Sequence, residues 1–328
     1  MTPLFGHDSA VAAFRDSLDG KRLHHAWLLA GPEGIGKALF AEKAALRVLA
    51  QGQGAVEAAG LDVPDSHPAA KLMAAGSHPD LMKLERLVKE SSSTGELNRS
   101  INVDQVRGLQ RLFSTTASLS PWRVVIIDAI DDLERNAANA LLKNLEEPPP
   151  HSLFLLVSHA PERLLPTIRS RCRQIRLSTL APDAMASALR SAAPDASEGE
   201  IAELVAAGQG SPGRALSRRG LDIAGLDRVM EALIREGDAT NAKRAALAQT
   251  LALKSAQPRY EAFLARAPSF IAQAAKARSG AALADALKLW ELAQGLASSA
   301  RGLSLETESV VFELCGMLAA LAPVRERA

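Results

Sequence analysis

Cysteine is scarce in this chain. Cys172 and Cys315 are its two thiols, far apart in sequence. They supply neither a disulfide framework nor the paired cysteines of a zinc site, and they fit a reducing compartment. Aromatic residues make up 4% of the chain. Neither sign of charge dominates: 38 Lys and Arg face 37 Asp and Glu, a formal net charge of +1. No global field therefore marks a nucleic-acid binder, although local basic patches stay open. No apolar run approaches the length of a membrane span, and the N-terminus carries no signal pattern. The expectation is a cytoplasmic protein without a membrane partner. What is plentiful is alanine, within a hydrophobic share of 47%. That composition favours helices in a soluble globular chain, and 328 residues suggest two or three domains.

The stretch Gly31-Pro-Glu-Gly-Ile-Gly-Lys37 organises the rest. An apolar run, His25–Ala30, precedes it and reads as a buried strand. The run Ala38–Arg47 follows and reads as a helix. Strand, glycine-rich loop and helix form the context of a phosphate-cradling loop. Gly31, Gly34 and Gly36 allow the tight turn, the helix start adds partial positive charge, and Lys37 adds a full one. The bland alternative is an ordinary strand-to-helix turn. Ala38 stands where a Ser or Thr hydroxyl would hold Mg²⁺, so the loop lacks a metal ligand.

Val124-Val-Ile-Ile-Asp128 reads as a central parallel strand covered on both faces. Its terminal Asp128 lies where a doubly wound sheet places ligand groups, and in phosphate-loop nucleoside triphosphatases such an aspartate holds Mg²⁺. The alternative is an aspartate that caps a turn. Ala129 follows, where many motor ATPases carry a glutamate that orients water; a methyl group polarises nothing.

Further strands are expected at Leu81–Glu85, Ser152–Ser158 and Gln174–Leu177, and helices at Ser9–Leu18, Glu134–Glu147 and Leu164–Ser170. Asn102 and Gln105 suit a helix start, with Val103, Val106, Leu109 and Phe113 as one stripe. Residues 51–80 read as a surface insertion, partly helical around Pro68–Ala75, whose His67 and His78 are loop histidines rather than metal ligands. Glu90–Arg99 reads as a mobile loop. After Pro182 the strand patterns stop. Short helices at Ala184–Ala192 and Glu198–Ala207 and the turn Gly210–Gly213 make a small helical domain. Five longer helical patterns follow, and the stripe Leu283, Leu287 and Trp290 reads as core packing. The reading is an α/β P-loop domain with a mainly parallel sheet at 1–178, a helical lid at 179–220 and an all-α domain at 221–328.

Arg163, Arg169, Arg171, Arg173 and Arg176 crowd one short span. A solvated basic face accounts for most of them. For Arg171 a second reading stays open: its guanidinium could neutralise a transferring phosphoryl group, at the site of an adjacent subunit if it points away from its own loop.

Together these residues resemble the AAA+ clamp-loader family of bacterial replication. The carriers are His24–Lys37, Gly76-Ser-His-Pro-Asp80, the block Asn139–Pro149 with its Leu-Leu-Lys-Asn-Leu-Glu-Glu-Pro-Pro, Ser170-Arg171-Cys172 and Gly210-Ser-Pro-Gly213. The resemblance is strong over 1–220 and weak beyond. It implies a nucleotide-fold domain, a helical lid and an oligomerising collar. It also implies a five-subunit ring with motor (gamma/tau) and delta subunits that loads a sliding clamp onto primed DNA as part of the polymerase holoenzyme. In that family the Ser-Arg-Cys arginine, here Arg171, reaches ATP held by the next subunit. Lys37 and Asp128 would take the nucleotide-site roles. Gly213 falls where active relatives carry a lid arginine, with Arg214 one place later. Residues 50–80 lack the four cysteines of a zinc module found in relatives, so zinc is not expected. Three losses around one pocket imply a subunit without ATPase activity of its own, whose vestigial site binds ATP or ADP weakly at most. The alternative is a motor-type ATPase that works despite Ala38 and Ala129. A small-molecule phosphotransferase fits less well, since no second-substrate motif is present.

Overall fold

A computed structural model describes residues 2–20, 23–89, 97–217, 219–303 and 305–323. The chain divides into two compact units, Met1–Leu216 and Ser217–Ala328. The three helices of the expected lid fall almost wholly within the first unit.

The first unit alternates strands and helices: α1 (Asp8–Asp19), β1 (Ala26–Ala30), α2 (Lys37–Gln53), α3 (Pro68–Ala74), β2 (Leu81–Glu85), α4 (Val103–Arg107), α5 (Leu109–Ser114), β3 (Arg123–Asp128), α6 (Arg135–Glu146), β4 (Ser152–Ser158), α7 (Pro166–Arg169), β5 (Arg173–Arg176), α8 (Pro182–Ala192), α9 (Glu198–Gly208) and α10 (Pro212–Ser217). The five strands pair in parallel in the order β2-β3-β4-β1-β5. Successive residues of β4 show why the central strands β1, β3 and β4 are mostly apolar. Leu153, Leu155 and Val157 pack with α1 and α2, whereas Phe154 and Leu156 pack with α4, α6 and α7. Helices thus cover both faces of the sheet, and every residue of β1 and β4 is buried on one side or the other.

The expected single stripe at 103–113 is broken into α4 and α5 at Gly108, a weak helix former at its midpoint. Its start follows the expected chemistry: Asn102 and Gln105 form a reciprocal capping box. Most of the expected loop at 90–99 lies outside the described residues.

The insertion after α2 is held by a buried arginine. Arg47, 3% exposed, donates to the carbonyls of Val56 (3.0 Å), Ala58 (2.9 Å) and Asp62 (2.9 Å). Lys43 pairs with Asp62 at 2.6 Å, and Leu46, Ala50, Val63, Ala69 and Ala70 form a small apolar cluster beside it. A planar guanidinium with several fixed donors gathers a chain segment that has little apolar periodicity. His67 caps α3 by accepting from the Ala69 N–H, and His78 is buried with its Nδ1 accepting from the Asp80 N–H. Burial lowers the His78 pKa below its usual value.

The second unit is all-α: α11 (Ile223–Glu236), α12 (Ala242–Leu251), α13 (Gln257–Lys276), α14 (Gly280–Leu303) and α15 (Thr307–Ala319) enclose one core. Here one expectation is corrected. Leu283 and Trp290 pack against this core, but Leu287 is 45% exposed. The buried seam of α14 is built from Ala286, Ala293, Ala297 and Ala300. Leu287, one residue past Ala286, is turned about 100° away from that seam. Among the described residues, no helix is long and apolar enough to cross a membrane.

Candidate functional site

The phosphate-loop residues come together at the C-terminal edge of the sheet. Loop carbonyls find partners within the chain. Lys37, 3% exposed, donates its Nζ to Gly31 O at 2.6 Å and also to Pro32 O. Burial pulls the Lys37 pKa down to about 8, against the opposing pull of the Asp131, Glu33 and Asp128 carboxylates. Buried His7, just before α1, lies 2.8 Å through Nε2 from Ile35 O; a protonated Nε2 makes this a donated bond. The turn between α9 and α10 supplies the rest. Ser211 donates its hydroxyl to Glu33 O at 2.9 Å, and the Gly213 N–H donates to Gly34 O at 2.8 Å.

That last contact explains two glycines. Gly34 has φ +75°, a left-handed conformation that glycine adopts without strain. A Cβ on Gly213 would meet Gly34 Cα at 2.8 Å and Gly34 O at 3.0 Å, so the two backbones touch. Position 213 is therefore too tight for any side chain. Arg214 reaches Gln209 at 3.5 Å. We expect Gly213→Ala to destabilise the first unit by about 1–3 kcal/mol through overpacking. Urea unfolding of the variant beside the parent chain would read this, and an unchanged midpoint would contradict it.

Asp128 ends β3, in register with Val157 of β4, one residue short of Ser158, which pairs with Ala30 at the end of β1. Asp128 and Lys37 are therefore at the same edge, as the sequence implied. Burial raises the Asp128 pKa, with Lys83 and His159 working against it. Ala38 is half-buried and Ala129 buried; neither side chain can coordinate a metal or activate water. Among the described residues, no cluster of His, Cys, Asp or Glu is arranged to hold a metal ion. The sequence reading overlooked Asp131. Its carboxylate accepts from Ser158 Oγ (3.0 Å), His159 N (2.7 Å) and Ala160 N (3.2 Å), which fixes the end of β4 against the pocket. Its spacing from Asp128 was the available signal.

Arg171 is elsewhere. It lies just before β5, where Arg173 pairs with Trp27 near the start of β1. The phosphate loop begins beyond Ala30, at the other end of the same strand pair. Arg171 therefore sits at the N-terminal edge of the sheet, away from Lys37. Its side chain is 33% exposed. Nη2 pairs with Glu146 Oε1 at 2.8 Å, and Nη1 donates to Thr167 O at 2.8 Å. Ser170 donates its hydroxyl to Thr167 O at 3.2 Å. Half-buried Cys172 packs against the β-sheet core, and burial pushes its thiol pKa up to about 12. It is a packing group rather than a nucleophile. Of the neighbouring arginines, Arg173 stacks over the Trp27 ring at 4.9 Å.

A family model described as "DNA polymerase III, delta subunit" matches residues 6–181. The chain belongs to this DNA polymerase III delta-subunit family. Within it, DNA polymerase III subunit delta' of Pseudomonas aeruginosa is 42% identical over 203 residues, 61% of this chain and 57% of that protein. DNA polymerase III subunit delta' of Bacillus subtilis is 36% identical over 170 residues, 52% of this chain and 47% of that protein. The chain thus matches about half the length of these relatives. Among solved structures, a DNA polymerase III gamma subunit-related protein of Thermotoga maritima aligns with a TM-score of 0.50 at 15% identity, over 95% of this chain and 99% of that one. That likeness is one of fold. It agrees with an α/β P-loop domain followed by an all-α part.

Proposed function

We propose that this chain is the non-hydrolysing stator of a replicative clamp loader, and that Arg171 completes the ATP site of a neighbouring motor subunit. The observation that carries this reading is the separation of two half-sites. Lys37 and Asp128 gather at one edge of the sheet in a pocket that lacks a metal hydroxyl at Ala38 and an acid at Ala129. Arg171 stands at the opposite edge, a third exposed, where it cannot serve that pocket. A guanidinium at a subunit boundary neutralises charge on a transferring phosphoryl group. The delta-prime relatives support the coarser part of this reading, a place in the DNA polymerase III clamp loader.

In this reading the partners are motor (gamma/tau) and delta subunits in a five-membered ring, a sliding clamp, and primed DNA reached through the assembly in the cytoplasm. The vestigial pocket binds ATP or ADP weakly. Its loop carbonyls are occupied by Lys37, Ser211 and Gly213, and Gly213 replaces the lid cation. The purified chain at saturating Mg·ATP, with or without primed DNA, is expected to show no turnover. DNA-stimulated hydrolysis that disappears in Lys37→Ala would instead identify a motor-type ATPase.

A further inference from the structure

We propose that Glu146 is a positioning residue for Arg171. This rests on the reading of Arg171 as a group lent to a neighbouring subunit, and it adds a residue to that function.

Glu146 is the last residue of α6, and Pro148-Pro-Pro150 prevents the helix from continuing. Leu145, the residue just before it, and Leu141, about one turn before that, are buried at 2% and 0% exposure, so the helix end is fixed to the core of the sheet. From that fixed end, Glu146 Oε1 holds Arg171 Nη2 at 2.8 Å. A second element holds the other terminal nitrogen: Thr167 O, in α7, accepts from Nη1 at 2.8 Å. Ser170 Oγ lies 3.5 Å from the same nitrogen. The guanidinium is thus gripped at two atoms by two separate helices, while the side chain remains 33% exposed. Its remaining N–H groups are available to an incoming phosphate.

An arginine with no such contacts samples many rotamers, and each must be given up when it docks. Two anchors remove most of that search before the neighbour arrives. The Glu146 side chain is itself 48% exposed, so the ion pair adds little to folding. Its effect belongs in turnover rather than in stability. The Leu-Leu-Lys-Asn-Leu-Glu-Glu-Pro-Pro block then has two tasks: Leu141 and Leu145 build the core, and its first glutamate orients a residue 25 positions later.

The test uses the loader assembled from the full chain and its motor subunits, with parent, Glu146→Gln, Arg171→Ala and the double variant compared side by side. Glu146→Gln is expected to lower kcat on the order of 10-fold, the cost of a misplaced reacting group. The KM for ATP, the assembly by gel filtration and the thermal midpoint of the chain should not change. The double variant should be no slower than Arg171→Ala alone. Parent-like or faster turnover in Glu146→Gln, with Arg171→Ala still impaired, would overturn the positioning role. Additive losses in the double variant would overturn it as well. Unchanged turnover in Arg171→Ala would sink the underlying reading, and this inference with it.

Discussion

Arg171→Ala should, on the proposed reading, lower ATP turnover by the assembled loader on the order of 10³-fold, the lower end of what an arginine supplied in trans contributes. The loss should fall on kcat, because a guanidinium lent in trans would act on charge that develops during phosphoryl transfer. Assembly should survive. The side chain is partly exposed, and its ion pair with Glu146 is a surface contact of small energetic weight. The neighbouring Cys172 and Ile168, which pack into the core, are untouched by the change. Steady-state hydrolysis by the reconstituted loader, with subunit content checked by gel filtration, reads both quantities. A variant loader that assembles and turns over like the parent would contradict the assignment of Arg171.

Asp80→Ala should produce the largest loss of stability among simple truncations outside the pocket, about 3 kcal/mol. Asp80 is 2% exposed and stands just before β2. Its two oxygens accept from the backbone N–H groups of Ser118 (2.6 Å), Leu119 (2.8 Å) and Ser120 (3.0 Å). This ties the loop before β3 to the start of the adjacent strand. Bonds to a carboxylate are stronger than neutral ones, and truncation leaves all three donors without their acceptor. Urea unfolding followed by far-UV circular dichroism should show the lowered midpoint. The change should leave turnover of the assembled loader intact at temperatures where the variant is folded. The motif Gly76–Asp80, one of the stretches that carried the family resemblance, is thus structural in its most buried member.

The same contrast explains how much was legible in the sequence. The strands β1, β3 and β4 are runs of apolar residues buried on both faces, and such runs are visible without coordinates. The edge strand β5, with one buried residue among Arg173–Arg176, is shifted by one position from the expected span. The capping box at Asn102 was readable because it is local. What could not be read depends on groups far apart in the chain. Arg47 orders the insertion by reaching carbonyls 9 to 15 residues on. Glu146 meets Arg171 only because α6 and α7 pack side by side, and Gly213 meets Gly34 across almost the whole first unit. Leu287 was misplaced for a related reason. A stripe of large residues suggested the buried face of α14, whereas alanines form the seam against its neighbours.

The most direct measurement is ATP turnover by the assembled loader containing this chain as Lys37→Ala in one sample and Arg171→Ala in another. The account predicts parent-like turnover with Lys37→Ala, because the chain's own pocket does no chemistry, and a collapse with Arg171→Ala. The reverse pattern, in which loss of Lys37 stops hydrolysis and loss of Arg171 does not, would contradict it.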